Sequence, residues 1–163
     1  MAAVDYFLKI DGIAGESTDA KHKAEIDVLS WDWAEEQAGS AGGYGAGLGT
    51  GKVNMNDFSF VARTSKASPS LMLACATGQH IKEALLTCRK AGGEQQEFFL
   101  IKLSGVLISN FKAVGSKESG TLPEDIVSMN FTRIEFEYKE QKPDGTLGSP
   151  VKTGYDLKVN KKV

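Results

Sequence analysis

The chain has 163 residues, of which 41% are hydrophobic and 25% are charged, and its formal net charge is −2. This is the composition of one ordinary globular domain, and the slightly acidic balance argues against a protein that binds nucleic acid through a basic surface. No apolar run approaches the roughly 20 residues of a membrane-spanning helix, so no membrane insertion is expected. The first residues, from Met1 to Asp5, have neither the basic nor the apolar segment of a conventional signal peptide, and we expect a protein that folds in the cytoplasm.

Short runs rich in β-branched and aromatic residues recur along the chain and are separated by Gly, Pro, Asn and Asp, a pattern typical of strands. In the first run the apolar residues alternate with polar ones, as on a strand with one buried face. Seven or more strands at this spacing favour a sandwich or a barrel. The predicted strands are Val4–Ile10, Glu25–Ala34, Val53–Ala62, Ile81–Lys90, Glu97–Val114, Ile126–Lys139 and Val151–Val159.

Several of these runs change phase midway. In the second, Ile26 and Val28 share one register, whereas Leu29, Trp31 and Trp33 share the other. The third and sixth runs change in the same way. Because side chains alternate with period two, such a shift requires a β-bulge or a strand that is buried on different faces along its length. A barrel that also packs on neighbouring molecules would give this pattern.

One short helix is predicted between the third and fourth strands. Ser68 is a suitable N-cap, Pro69 suits the first helical position, and Gly78 is the expected residue just past the end. Residues 71–76 between them are all apolar, so we expect this helix to plug the core. The two cysteines, Cys75 and Cys88, have apolar neighbours and are expected to be buried thiols in a reduced compartment.

The composition changes abruptly over residues 39–51, where seven of thirteen residues are glycine. Such a segment has high backbone entropy and cannot form a core by itself. One interpretation is a flexible hairpin connection. The other is an extended loop that becomes ordered against another subunit, with Tyr44 and Leu48 as anchors. The candidate contacts are Tyr44, Leu48, Gly43, Gly45 and Gly47.

No motif of an enzyme or of a cofactor site occurs in the chain. The glycine-rich segment has Ala46 and Val53 where a phosphate-binding loop requires Gly and Ser or Thr. The two histidines, His22 and His80, are too isolated from each other and from the cysteines for a zinc site, and each is expected at the surface. A Gly-x-Ser-x-Gly elbow is absent from the sequence. We therefore expect no catalytic residue, no cofactor and no metal.

A set of short motifs, spread in order over essentially the whole chain, resembles the haemolysin co-regulated protein (Hcp) family, the tube subunits of type VI secretion systems. One such fragment would be weak, but the ordered set is specific. The motifs are 5–17 (DYFLKIDGIAGES), 25–33 (EIDVLSWDW), 51–53 (GKV), 68–72 (SPSLM), 89–94 (RKAGGE) and 154–156 (GYD).

The resemblance implies one domain over residues 1–163, folded mainly as β: a β-barrel of two sheets flanked by one short α-helix, similar to phage tail-tube proteins. It implies a homo-hexameric ring, stacking of rings into a tube, and partners in a spike protein, a contractile sheath and small effectors carried in the lumen. The tube would be expelled from the cell. The sequence of the 39–51 loop varies in this family, so the loop's contacts do not follow from the resemblance.

With Trp31 and Trp33 on a buried face, alternation places Ser30 and Asp32 on the opposite face. They are candidate residues of the lumen, or alternatively of an ordinary outer wall. Rival functions are a phage-derived tail-tube subunit, a monomeric β-barrel carrier of a small apolar ligand, and a hydrolase of unknown type.

Overall fold

The structure, a computed structural model, describes residues 4–39, 50–90 and 95–163. These ranges contain twelve strands and one helix, so the predicted mainly-β class with a single short helix is confirmed. The elements are β1 (Val4–Ile10), β2 (Ile26–Asp27), β3 (Ser30–Asp32), β4 (Glu35–Gly39), β5 (Thr50–Met55), β6 (Phe58–Arg63), α1 (Ala67–Thr77), β7 (His80–Lys90), β8 (Gln96–Val114), β9 (Glu124–Asn130), β10 (Arg133–Gln141), β11 (Leu147–Asp156) and β12 (Lys161–Lys162).

The 19-residue strand β8 organises the main sheet, because each of its halves belongs to a different set of neighbours. Its first half pairs with β7 on one side and with β10 on the other, which gives the order β12-β11-β10-β8-β7-β1-β2. Its second half, from Leu107 to Val114, pairs with β9, and β6 and β3 follow. The ladders are antiparallel, and β4 and β5 form a separate two-stranded sheet.

The two ends of the main sheet approach each other at Val28 and Leu29. The amide of Val28 donates to the carbonyl of Tyr6 in β1 at 2.9 Å, and the amide of Leu29 donates to the carbonyl of Val61 in β6 at 2.8 Å. Over the described ranges the strand ladder does not close into a complete barrel, because β2 pairs only with β1 and β3 only with β6. The sheet is a curled, nearly closed barrel.

The predicted changes of phase are confirmed, and each one marks a point where the chain passes from one ladder to another. In the second predicted strand the shift falls between β2 and β3, where the chain leaves β1 for β6. In the third it falls between β5 and β6, which lie in different sheets. In the sixth it falls between β9 and β10, which pair with different halves of β8.

The helix begins two residues earlier than predicted, at Ala67 and not at Pro69, and Ser68 is not its N-cap. Lys66 is the N-cap residue and makes no side-chain cap. The hydroxyl of Ser65 accepts from the amide of Ala67 at 3.2 Å, and the hydroxyl of Ser68 accepts from the amide of Ser65 at 3.0 Å. Ser68 also donates to the buried carboxylate of Asp125. Gly78 ends the helix with φ of +64°, as predicted.

Only one side of α1 is a core plug. Leu71 and Ala74 are buried, whereas Met72 and Leu73 on the other side are exposed. The core itself lies inside the curled sheet and is built from aliphatic and aromatic side chains. Its largest fully buried members include Phe58, Phe60, Leu8, Leu71, Ile81, Leu86, Ile101, Leu103, Ile108 and Met129.

Candidate assembly and lining surfaces

Strands β10, β11 and β12, which we call the wing, extend the main sheet beyond its own core. Directly opposed residues of an antiparallel sheet lie on the same face, and one such row runs from Cys88 through Phe99 and Tyr138 to Val151. Cys88 is 2% exposed, Tyr138 is 48% exposed and Val151 is 72% exposed. The apolar face of the sheet therefore continues into a region where the other described residues no longer cover it.

A groove of about 340 Å³ lies between the wing and the β4–β5 hairpin. Trp33 contacts Phe136 edge-on at its floor, with ring centroids 5.4 Å apart, and the indole N–H donates to the carbonyl of Asn56 at 2.9 Å. Val53 and Met55 of the hairpin line the opposite wall. The groove is lined mainly by apolar and aromatic side chains, which suits a protein surface better than a polar ligand.

The other face of the wing has the character of a solvated surface. Glu135 pairs with Arg133 at 3.4 Å, and Glu137 lies opposite Lys152 in the ladder. The wing is thus amphipathic, with charged groups on one face and an uncovered apolar row on the other. A sheet face of this kind marks an interaction surface more often than a solvated one.

The second half of β8 and strands β9, β6 and β3 present a different surface to the outside, which we call the polar face. Its central row, read across the ladder, is Asp32, Ser59, Ser128 and Asn110. The next row contains Ser30 and Lys112, with two half-buried aliphatic residues between them. The side chains of the central row are small and polar, and the core residues of the same strands point the other way.

Ser30 and Asp32 are both exposed, and they lie opposite the half-buried Trp31 as the alternation predicts. Trp31 packs against Phe58 and Phe99, with centroids 5.9 and 6.2 Å apart. The polar face is internally hydrogen-bonded, because the hydroxyls of its two central serines lie 2.9 Å apart. At its edge Asp57 accepts from Ser109 at 2.5 Å and from Asn130 at 3.0 Å. Leu29, predicted on the side of the tryptophans, is instead exposed where the chain crosses between strands.

The predicted stacking residues Tyr44, Leu48, Gly43, Gly45 and Gly47 lie outside the described residues. What the structure gives is the base of that segment, the β4–β5 hairpin, in which Glu35 pairs with Met55.

The prediction that His22 lies at the surface is wrong. Its side chain is 8% exposed and packs in parallel on Phe7, with ring centroids 4.4 Å apart. Phe7 points to the outside of the curled sheet, and residues 14–25 cover it. His22 lies between the carboxylates of Glu25 and Glu97, at 2.9 and 2.7 Å. His80 is exposed, as predicted.

Arg89 is the second buried ionic centre beneath residues 14–25. Both its terminal nitrogens donate to the carboxylate of Asp19, at 2.9 and 2.7 Å, and one also donates to Asp5 at 3.2 Å. The hydrogen bonds from Arg89, with that from the Lys21 amide, hold the pKa of Asp19 well below its usual value. The same contact with Asp19 raises the pKa of Arg89. This ion pair is structural, since its members face one another and not an open cleft.

A metal site is not assembled in residues 4–39, 50–90 and 95–163. They contain no group of three or more His, Cys, Asp or Glu side chains that could bind a metal ion. Cys88 is buried as predicted, and burial raises the pKa of its thiol to about 12, so it is unreactive at neutral pH. Among the described helical residues, none belongs to a helix long and apolar enough to cross a membrane.

Comparison with known proteins identifies the family of the chain. Residues 7–138 match the model of the family described as "Type VI secretion system effector, Hcp". A relative from Pseudomonas aeruginosa, Protein hcp1, is 46% identical over 160 residues, which are 97% of this chain and 98% of the relative.

Solved structures agree with this assignment. Hcp1 from Salmonella typhimurium superposes with a TM-score of 0.81 at 34% identity, and the match covers all of both chains. A structure described as that of a type six secretion system protein superposes with a TM-score of 0.93 at 28% identity and covers 99% of this chain and all of the other. The chain belongs to the Hcp family, the secreted tube and effector proteins of the type VI secretion system.

Proposed function

We propose that this chain is a structural subunit of the inner tube: six copies form a ring, the rings stack, and the tube is expelled from the cell. It acts without catalysis. The subunit assembles in the cytoplasm before expulsion, and its partners are further copies of itself, a spike protein at the tip, a surrounding sheath and small effectors inside. The contacts between stacked rings are made by residues 39–51, which include the connection between β4 and β5 in the sequence.

The wing supports ring formation most directly. Its apolar row becomes more exposed with distance from the core, ending at Val151. An apolar surface of this kind is stabilised when another protein surface removes it from water. In a cyclic ring each contact is head-to-tail, so the wing of one copy packs on a different surface of the next. A monomeric carrier of a small apolar ligand would also have amphipathic strands. Its apolar face, however, would be covered by its own chain.

We propose that the polar face, with Ser30 and Asp32, contributes to the lining of the tube. A domain of this length is about 40 Å across, so six in a ring enclose an opening of about the same width before interlocking narrows it. Small hydroxyl, amide and carboxylate groups keep the surface of such a channel hydrated, and they offer hydrogen-bonding groups to a passing effector. A phage-derived tail-tube subunit would share this geometry but work in another machine.

The ring is tested by placing one charge on the wing. We expect the wild-type protein to sediment as a ring and to show annular particles in electron micrographs. Val151→Glu should raise the dissociation constant of the assembly at least about tenfold, because the new carboxylate would be buried without a partner at each contact.

The matched control is Lys152→Gln. It changes the net charge by the same one unit in the same direction, on the opposite face of the same strand. We expect this variant to form rings as the wild type does. A wild-type chain that stays monomeric at high concentration would contradict the proposal, and so would a Val151→Glu ring of unchanged stability.

A further inference from the structure

Residues 14–25, which we call the outer strap, form a wound segment on the outside of the sheet. Its two ends are joined by backbone hydrogen bonds, from Gly15 to the carbonyl of Ala24 at 2.8 Å and from Ala24 to the carbonyl of Ser17 at 2.8 Å. Ala24 has φ of +62°, a conformation unfavourable for a residue with a Cβ. A strained, polar segment of this kind requires side-chain contacts to hold it in place.

His22 supplies those contacts with both nitrogens of its ring. Nδ1 lies 2.9 Å from Oε2 of Glu25 within the strap, and Nε2 lies 2.7 Å from Oε1 of Glu97 in β8. The ring also lies flat on Phe7, with an angle of 7° between the planes. His22 therefore connects the strap to two strands of the sheet, one by stacking and one by a hydrogen bond.

Each of these two hydrogen bonds to a carboxylate requires an N–H donor on the His22 ring. A neutral imidazole has one N–H donor and one nitrogen that only accepts. An ionised carboxylate has no donor and only accepts. In a neutral His22 the lone pair of the unprotonated ring nitrogen would therefore face one of the two carboxylates, with no hydrogen bond between them. The imidazolium has two donors and satisfies both, and charge-assisted bonds of this kind are roughly twice as strong as neutral ones.

The surroundings of His22 are rich in carboxylates. The ionisable groups packed around it come from every adjoining element, and carboxylates outnumber cations. They are Asp19 and Glu25 of the strap, Asp5 of β1, Asp27 of β2, Glu97 of β8 and the buried cation Arg89 of β7, while Lys21 and Lys23 of the strap are exposed. Burial, together with the charges of Asp5 and Asp19, raises the pKa of Asp27, an independent sign that the field here is negative.

We propose that His22 is a proton-dependent clasp for the outer strap. When the ring carries both protons, the strap is held to β1 and β8. When the pH rises and one proton is lost, one of the two hydrogen bonds becomes a repulsion, and the strap is released while the barrel stays folded. The stabilisation is thus present at mildly acidic pH and decreases as the pH rises. Asp19 does not limit the clasp at mildly acidic pH, because Arg89 keeps its carboxylate ionised to lower pH.

Hydrogen exchange tests the clasp on the intact protein, whatever its state of assembly. The reporters are the bonded amides of Gly15 and Ala24 in the strap, and the reference is the amide of Leu86 in the buried strand β7. After correction for the intrinsic exchange rate, protection of the strap amides should fall about tenfold between pH 5.5 and pH 8.0, the effect of losing one charge-assisted hydrogen bond. Protection of Leu86 should not change.

Glu97→Gln separates a proton clasp from a merely structural contact. The amide of Gln can donate to a neutral Nε2, while Nδ1–H still donates to Glu25, so both bonds are satisfied without a charge on the ring. The strap of this variant should stay protected at pH 8.0, and the fall with pH should disappear. His80→Gln, which changes the only other histidine, at an exposed position, should behave as the wild type.

The inference is overturned if strap protection in the wild type is the same at both pH values, or if Glu97→Gln keeps the full dependence on pH. If His80→Gln abolishes the dependence, the titrating group is His80 and the assignment to His22 fails.

Discussion

The wing and the polar face belong to one curled sheet. The wing pairs with the first half of strand β8, and the polar face contains its second half, yet the exposed sides of the two regions have opposite chemistry. On the wing the inner, apolar face is open, at Tyr138 and Val151. On the polar face the central row of the open side consists of Ser, Asn and Asp side chains, and the two aliphatic residues of the next row, Val61 and Ile126, are half-buried. The first surface leaves apolar side chains exposed, whereas the exposed side chains of the second are mostly polar.

Under the proposed function, this difference separates the surface that would hold neighbouring subunits from the surface that would face the channel. A surface that binds permanently gains from apolar area removed from water. A surface past which other molecules move gains from polar groups that remain hydrated. Three substitutions would break or sharpen the contrast, and they are given from the largest expected effect on stability to the smallest.

Trp33→Ala should be the most destabilising, because Trp33 covers part of the apolar face of the wing. It packs against Phe131 and Phe136, and its N–H has a backbone partner. Loss of a half-buried aromatic side chain of this size should lower the free energy of unfolding by about 3 kcal/mol, measured by chemical denaturation. A loss below about 1 kcal/mol would mean that the wing does not depend on this cover.

Gly105→Ala should have the next largest effect, because Gly105 lies where β8 passes from the wing to the polar face. Its φ is +61°, and an added Cβ would overlap the hydroxyl of Thr132. We expect a loss of about 2 kcal/mol in the free energy of unfolding, from backbone strain and from this overlap.

The control for this site is Gly78→Ala. Gly78 has nearly the same φ of +64°, but nothing lies within 4 Å of the added Cβ. It should show only the strain, about 1 kcal/mol. Equal losses at the two positions would show that the contact with Thr132 has no energetic weight.

Asp32→Lys should have the smallest effect on stability, within about 0.5 kcal/mol, because the side chain is exposed. Rings should form as in the wild type. Retention of a small effector inside the rings, measured by co-sedimentation, should change, because the charge on the lining is reversed. Unchanged retention with intact rings would place Asp32 on the outer wall instead.

Much of the fold could be predicted from the sequence, because local patterns determine it. The limits of β1 match the prediction, and those of β7 and β8 match within one residue. The phase change at Val28 and Leu29 correctly marked the passage between ladders. Ser30 and Asp32 lie on the predicted side because alternation within a strand is set by backbone geometry alone.

The rest could not be predicted, because it depends on what covers a face. Ile101 and Val151 look alike in sequence, as apolar positions of alternating strands, yet one is buried and the other is open. His22 was misplaced for the same reason: its partner Glu97 is 75 residues away along the chain. The Glu25 partner, three residues away, was a local signal, but it does not by itself indicate burial.

The sharing of β8 has a consequence for how the subunit melts. Neither region has a complete ladder of its own, since the wing pairs with residues up to Ser104 and β9 pairs with residues from Leu107 onwards of the same continuous strand. If one half of β8 unfolds, the strands that pair with its other half lose the support of a continuous strand. Thermal unfolding should therefore be a single all-or-none transition. Intermediates in which the wing is folded and the polar face is unfolded, or the reverse, should not accumulate.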